Sequence, residues 1–222
     1  MTENNKHKTF DLIIIGGGLA GASLACALKD SSLNIAIIEA FAINTDAQPC
    51  YDDRTVALSY GSRRIFEGMG LWDSLQSCAE PINTIHISDR GHFGVSRLTC
   101  EQEGVEALGY VLENRCIGQQ LYAVIEKSDN ITLFCPAELK TLEQGEQAVS
   151  IEIALEGETR QLSGKLLVAA DGNNSQVMRL LNIGSSRKDY QQSALITNIT
   201  AGKKHENIAY ERFTETGPLA FL

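Results

Sequence analysis

The chain has 222 residues, 43% of them hydrophobic, enough for one large or two small globular domains with a substantial core. Nineteen lysines and arginines against 28 aspartates and glutamates leave a net charge of −9, which argues against nucleic acid as a partner. No apolar run approaches the roughly 20 residues that span a bilayer, and the polar opening MTENNKHK is no signal peptide, so the cytoplasm is the expected location.

Residues 10–39 read as an apolar strand, a glycine turn, a helix over about Ala20–Lys29 and a second strand ending on an acid. Leu12–Ile15 is a continuous apolar run, as in a strand buried on both faces. In the turn, Gly16 permits the sharp bend, Gly18 lets the backbone approach a pyrophosphate, and Gly21 lets helix and strand pack closely. The helix N-terminus directs its N–H groups at that phosphate. Glu39 is placed to accept hydrogen bonds from ribose hydroxyls, and an acid there disfavours a 2′-phosphate. These parts together predict an adenine dinucleotide site. The motif alone does not separate FAD from NAD, although its N-terminal position favours FAD.

Ala42–Asp53 is polar, carries Pro49, and reads as a loop leading into Arg54. Val56–Leu75 is expected to be helical, with Phe66 and Trp72 in the core and breaks at Gly68 and Gly70. From Pro81 the pattern changes, and Ile82–Leu98 alternates around Asp89-Arg90-Gly91 as a β-hairpin would. His86, Asp89, Arg90 and His92 lie on it, and alternating hairpin positions more often carry solvated groups than an acid–base cluster. Tyr110–Lys127 reads as a helix whose apolar face is Ile117, Leu121, Val124 and Ile125. Ile131–Phe134, Leu139–Leu142, Val149–Leu155, Lys165–Ala170, Ser193–Thr200 and Ile208–Phe213 read as strands. The six cysteines form no CxxC and no Cys/His cluster, so reduced cysteines and no metal are expected, with Cys26 and Cys116 as small buried thiols in helices.

The segment Val168–Arg179 is a strand, an Asp171-Gly172 turn, then Ser175 and Arg179 at a helix start. With the glycine turn of Gly16–Gly21 this resembles the class A FAD-dependent aromatic hydroxylases, which carry GxGxxG followed far downstream by DGxxSxxR. More narrowly it resembles the ubiquinone-biosynthesis hydroxylases, through Asp52–Ser59, Gly70-Leu71-Trp72, Val111–Arg115, Glu211-Arg212-Phe213 and Gly217–Ala220. The hairpin His86–Gly94 is similar to the 2-octaprenyl-6-methoxyphenol hydroxylase branch. Asp53 departs from the family, which usually has glycine before the arginine, and the distal GDAAH-like segment is missing, as in the N-terminal half of an enzyme.

The resemblance implies an α/β fold: a Rossmann-like FAD-binding βαβ domain with an inserted β-rich substrate layer, a truncated PHBH-like fold. The expected divisions are 1–80 and 101–182 for the FAD-binding domain, 81–100 for the inserted hairpin and 183–222 for the start of the substrate sheet. It further implies that NAD(P)H reduces FAD, that O₂ is captured as a flavin C4a-hydroperoxide, and that oxygen passes to a polyprenylated phenol in ubiquinone biosynthesis. The cofactor does that chemistry, so no nucleophilic triad is required, none is seen, and no catalytic residue is assigned. Arg54 would lie by the flavin phosphates, Asn114 would contact flavin or cap a helix, and Asp171 would lie on the pyrophosphate side, acting through ribose, water or Arg179. The substrate's hydrophobicity implies a partner complex or contact at the inner membrane surface. The rivals are a hydroxylase of a small soluble aromatic, an FAD dehydrogenase or oxidase, and a non-catalytic flavin-binding subunit.

Overall fold

The structure is a computed structural model and describes residues 7–43 and 54–222. The loop expected over Ala42–Asp53, including Pro49, Cys50 and Asp53, falls outside the described residues from position 44 onward. In chain order the elements begin with β1 (His7–Ile15), α1 (Leu19–Ala27), β2 (Ile35–Ile38), β3 (Thr55–Ser59), α2 (Tyr60–Gly68) and α3 (Trp72–Leu75), followed by a 3₁₀ turn at Gln76–Cys78. Next come β4 (Glu80–Ile82), β5 (Thr84–Asp89), β6 (Val95–Thr99), α4 (Cys100–Glu103), β7 (Gly109–Glu113) and α5 (Asn114–Ile125). The remainder is β8 (Ile131–Phe134), β9 (Ala137–Gln144), β10 (Val149–Leu155), β11 (Glu158–Ala169), α6 (Gln176–Leu180), β12 (Ile208–Thr214) and β13 (Gly217–Phe221).

The chain divides into two compact units, one from Met1–Asp52 with Ile117–Ala194, the other from Asp53–Cys116 with Leu195–Leu222. The first unit holds a six-stranded sheet in the order β8-β2-β1-β11-β10-β9. Its β8, β2, β1 and β11 are parallel, while β10 and β9 join antiparallel. Every residue of β2 is buried, and Ile13, Ile14, Ile35 and Ile37 are fully enclosed, each side chain stabilising the fold by about 1.5–3 kcal/mol. Phe10 and Phe134 meet edge to face at 6.1 Å in the same core. β11 is less enclosed than its apolar run predicts, with Leu166 59% exposed.

The second unit holds a three-stranded sheet, β3-β7-β4, and a four-stranded sheet, β13-β12-β5-β6. The expected hairpin is β5 and β6, and β12 extends it in parallel along β5. Two expected helices begin later than their apolar spacing suggests. Residues 55–59 alternate exposed and half-buried positions as β3, antiparallel to β7, so Tyr110 belongs to a strand and α5 starts at Asn114. Trp72 is buried against Tyr110, with ring centroids 4.7 Å apart, and the Arg63 guanidinium lies over it at 5.4 Å, whereas Phe66 is only half-buried. Ser193–Thr200, expected as a strand, has no regular structure and is exposed throughout.

The expectation of reduced cysteines is corrected at two positions, because Cys78 and Cys116 form a disulfide. They are 38 residues apart, and only the fold brings the turn ending at Cys78 to the first turn of α5. Cys26, Cys100 and Cys135 are free thiols.

Candidate dinucleotide site

Three parallel strands end at one edge of the six-stranded sheet, and each delivers part of the site. The glycine turn follows β1, Glu39 follows β2, and Asp171 follows β11. Because β1 leads to β2 on one side and pairs with β11 on the other, the chain changes direction here, and ligands of open parallel sheets occupy the crevice at such a point.

The turn is built by close approach. Gly16 has φ +99°, and a Cβ there would collide with the Ala170 carbonyl. A Cβ on Gly21 would run into the Gly16 carbonyl oxygen, so α1 can lie against the turn only if that position has no side chain. Gly18 differs, because a Cβ there would meet no atom of the described residues within 4 Å. Gly18 is also the N-cap of α1, with no side chain capping the helix. Among the described residues the fold therefore leaves open space in front of helix N–H groups that no side chain caps.

Glu39 is 6% exposed. Gly17 N–H donates to its Oε2 at 2.6 Å, and Phe41 N–H donates to its Oε1 at 2.8 Å. From the other side the buried Tyr122 hydroxyl donates to the Gly17 carbonyl oxygen at 2.7 Å. The peptide groups flanking Gly17 are thus fixed by a carboxylate from β2 and a phenol from α5. Tyr122 carries little signal in the sequence, one hydroxyl on an otherwise apolar helical face.

Asp171 caps α6. Its Oδ1 accepts from Ser175 Oγ at 2.7 Å and its Oδ2 from Gln176 and Val177 N–H at 2.6 and 3.1 Å. Ser175 Oγ accepts in turn from Met178 N–H at 3.1 Å. The second motif is therefore a reciprocal helix start, placed beside the glycine turn by the Ile15 carbonyl, which accepts from Ala170 N–H at 2.7 Å. The other two predicted residues lie in the second unit, where Asn114 N–H donates to the Arg54 carbonyl oxygen at 2.9 Å.

The second unit also holds a cavity of about 280 Å³. Leu58, Ile82, Ile85, Leu108 and Ala209 give it apolar walls, and among the described residues Glu211 supplies its one carboxylate side chain. Among the described residues no group of three or more His, Cys, Asp and Glu side chains is arranged to hold a metal, and no helix is long and apolar enough to cross a membrane.

Comparison with known proteins agrees with FAD as the cofactor. The chain is 32% identical over 218 residues to the ubiquinone hydroxylase UbiL of Rhodospirillum rubrum, covering 97% of this chain and 49% of that protein. It is 29% identical over 216 residues to the 3-demethoxyubiquinol 3-hydroxylase of Escherichia coli, covering 96% of this chain and 54% of that protein. The chain thus spans about half the length of the curated relatives it matches. The crystal structure of p-nitrophenol 4-monooxygenase PnpA from Pseudomonas putida shares its fold, with a TM-score of 0.68 at 16% identity over 78% of this chain and 44% of that one. The model of the FAD binding domain family matches residues 9–215, and the chain belongs to that family.

Proposed function

We propose that this chain is the nucleotide-binding part of an FAD-dependent monooxygenase that hydroxylates a polyprenylated phenol in ubiquinone biosynthesis. The observation that carries the cofactor reading is the empty space at Gly18 before the uncapped N-terminus of α1, which suits a pyrophosphate. The names of the relatives carry the substrate reading.

In this reading the Gly16–Gly21 turn cradles the pyrophosphate. Glu39, already holding Gly17 and Phe41, turns its remaining lone pairs to the ribose. Arg54 and Asn114 contact the flavin side, and Asp171 keeps α6 beside the phosphates through its capping bonds. FAD held there would supply the redox chemistry, in which two electrons from NAD(P)H and one O₂ put one oxygen atom on the ring and release the other as water. The apolar cavity of the second unit holds the phenol ring away from water, and Glu211 accepts a hydrogen bond from the phenol hydroxyl, which raises electron density on the ring. The prenyl tail is too large for about 280 Å³ and extends out of it, toward a membrane surface or a partner of a biosynthetic complex. The His86–Gly94 hairpin favours a 6-methoxyphenol as substrate.

The test uses the protein carrying this chain as its gene encodes it, with FAD, NAD(P)H and a prenylated methoxyphenol under ¹⁸O₂. One labelled oxygen in the ring product is the expected result. Consumption of NAD(P)H with no label in the product would leave a dehydrogenase or oxidase, and turnover of soluble phenols alone would leave the small-aromatic hydroxylase.

A further inference from the structure

The bridge between Cys78 and Cys116 closes a loop that carries part of the wall of the apolar cavity. Ile82, Ile85, Leu108 and Gly109 line that cavity, and all four lie between the two cysteines. Ile82 belongs to β4, which begins two residues after Cys78. Gly109 belongs to β7, which runs into α5, where Cys116 is the third residue. The bridge therefore spans the end of the β4–β7 pair that lies away from Ile82 and Gly109.

Other bonds hold that pair more firmly at its cavity end. β7 makes five residue pairs with β3 on one side but only three with β4 on the other, and the middle one joins Tyr110 to Pro81, which has no N–H to donate. At the cavity end Leu108 N–H donates to the Ile82 carbonyl at 2.8 Å, and Asn207 Nδ2 donates to the Pro81 carbonyl at 2.9 Å and to Glu80 Oε1 at 2.6 Å. At the other end Ser77 Oγ and Ala79 N–H donate to the Ser74 and Gln76 carbonyls, at 3.3 Å each, so these hydrogen bonds stay within their own turn and the covalent bond reaches α5. Cys78 and Cys116 are both half-buried, whereas Cys26 and Cys100 are buried, so an attacking thiolate has access to the bridge. Leu75, Leu112 and Ile117 flank it and are buried, so the elements on either side keep their packing when the bond opens.

We propose that Cys78 and Cys116 form a thiol–disulfide exchange site for a dithiol reductant, and that its state sets how firmly β4 closes the wall of the apolar cavity. One thiolate of the reductant attacks a bridge sulfur, the bond between the two cysteines breaks, and a mixed disulfide forms. The reductant's second thiolate attacks that mixed disulfide, closes the reductant's own disulfide and releases the cysteine. Two electrons and two protons pass in net from the reductant to the protein, which ends with two thiols. In the reduced protein the Gln76–Cys78 turn is released from α5, the short β4 ladder opens from that end, and Ile82 is held less firmly in the wall. In the oxidised protein the wall is fixed. This inference does not depend on what occupies the cavity.

The test uses the protein as its gene encodes it, purified without reductant and compared with and without dithiothreitol. Peptide mass spectrometry is expected to find Cys78 and Cys116 in one linked pair, which dithiothreitol opens and oxidised glutathione re-forms, with Cys26 unlinked throughout. Hydrogen exchange of the Ala79, Glu80 and Ile82 amides should be at least about tenfold faster in the reduced protein, with β1 and β2 unchanged. The double variant Cys78→Ser, Cys116→Ser should exchange like the reduced parent whether or not dithiothreitol is present. Phenol titrated calorimetrically should bind about threefold more weakly after reduction, because a loosened wall lowers the binding-competent fraction. Absence of the linked pair from unreduced protein, a pair that dithiothreitol does not open, or the same exchange at residues 79–82 in both states overturns the proposal. So does equal phenol affinity in the two states. Phenol that binds in neither state counts against the phenol reading of the cavity, and the exchange at residues 79–82 then decides this inference by itself.

Discussion

A single hydroxyl shares with Glu39 the task of fixing the peptide groups around Gly17. Tyr122 is 3% exposed and its phenol donates to the Gly17 carbonyl, so Tyr122→Phe removes one hydrogen bond and leaves that carbonyl without this donor. The expected cost is about 1–3 kcal/mol in urea unfolding, with weaker FAD binding in a spectroscopic titration. Unchanged FAD affinity would mean that Glu39 alone fixes the turn. Tyr122 is hidden in the sequence because its ring follows the apolar periodicity of α5, in which Val124, a half-buried residue, fits the spacing as well. Glu39 was legible as an acid at a strand end, but its bonds to Gly17 and Phe41 depend on a turn conformation that spacing does not encode. Cys26, predicted as a buried thiol, is 1% exposed, and burial pushes its pKa up to about 12. An unfolded thiol ionises near 8.5, so the stabilisation from keeping this thiol neutral is complete below that pH and is lost as pH rises toward about 12. Iodoacetamide at about pH 9 should therefore spare Cys26 in the native chain and modify it in urea, as read by peptide mass spectrometry.

The glycines that look alike in the sequence differ at the level of the turn and its helix. Gly21 is required by the fold, because a side chain would drive α1 off the Gly16 carbonyl. Gly18 is not, because a Cβ there would meet no atom of the described residues within 4 Å. Gly21→Val should lower stability by several kcal/mol, about 3 or more, as overpacking at a backbone contact does. Gly18→Val should unfold within about 1 kcal/mol of the parent and yet fail to retain FAD. Loss of stability in both variants would mean that Gly18 also serves packing, and retained FAD in Gly18→Val would move the pyrophosphate elsewhere. The glycine turn, α1 and β2 were legible because their signals are local: a continuous apolar strand, then glycines, then an acid. β3 was not. Its Val56 and Leu58 alternate over only five residues, and the stronger helical spacing of Ile65, Phe66, Met69 and Trp72 extended the helix backward over them. Ser59, which accepts from Ser62 N–H at 3.1 Å, marks the true start of α2 and is a cap signal the pattern overlooked.

Across the whole molecule the two sheets of the second unit draw on distant parts of the chain, which no local pattern reports. β12 and β13 come from the last residues and join β5 and β6 through the parallel pairing of β12 with β5. Between α6 and β12 the chain has no helix or strand, and residues 182–206 are exposed at every position. Arg187, Lys188, Lys203 and Lys204 lie in that stretch, whereas Lys140, Arg160 and Lys165 lie within β9 and β11 and are held by ladder hydrogen bonds. Proteolysis needs an extended backbone free of such bonds, so trypsin should cut the native chain first between Arg187 and Lys204. The released β12–β13 peptide should then co-elute with the larger fragment in gel filtration, because its pairing with β5 is noncovalent and outlasts the cut. Mass spectrometry of the first products decides the matter. Early cleavage at Lys140 or Lys165 would mean that the six-stranded sheet opens before this connection does, and a peptide that elutes alone would mean that the parallel pairing does not hold the four-stranded sheet together.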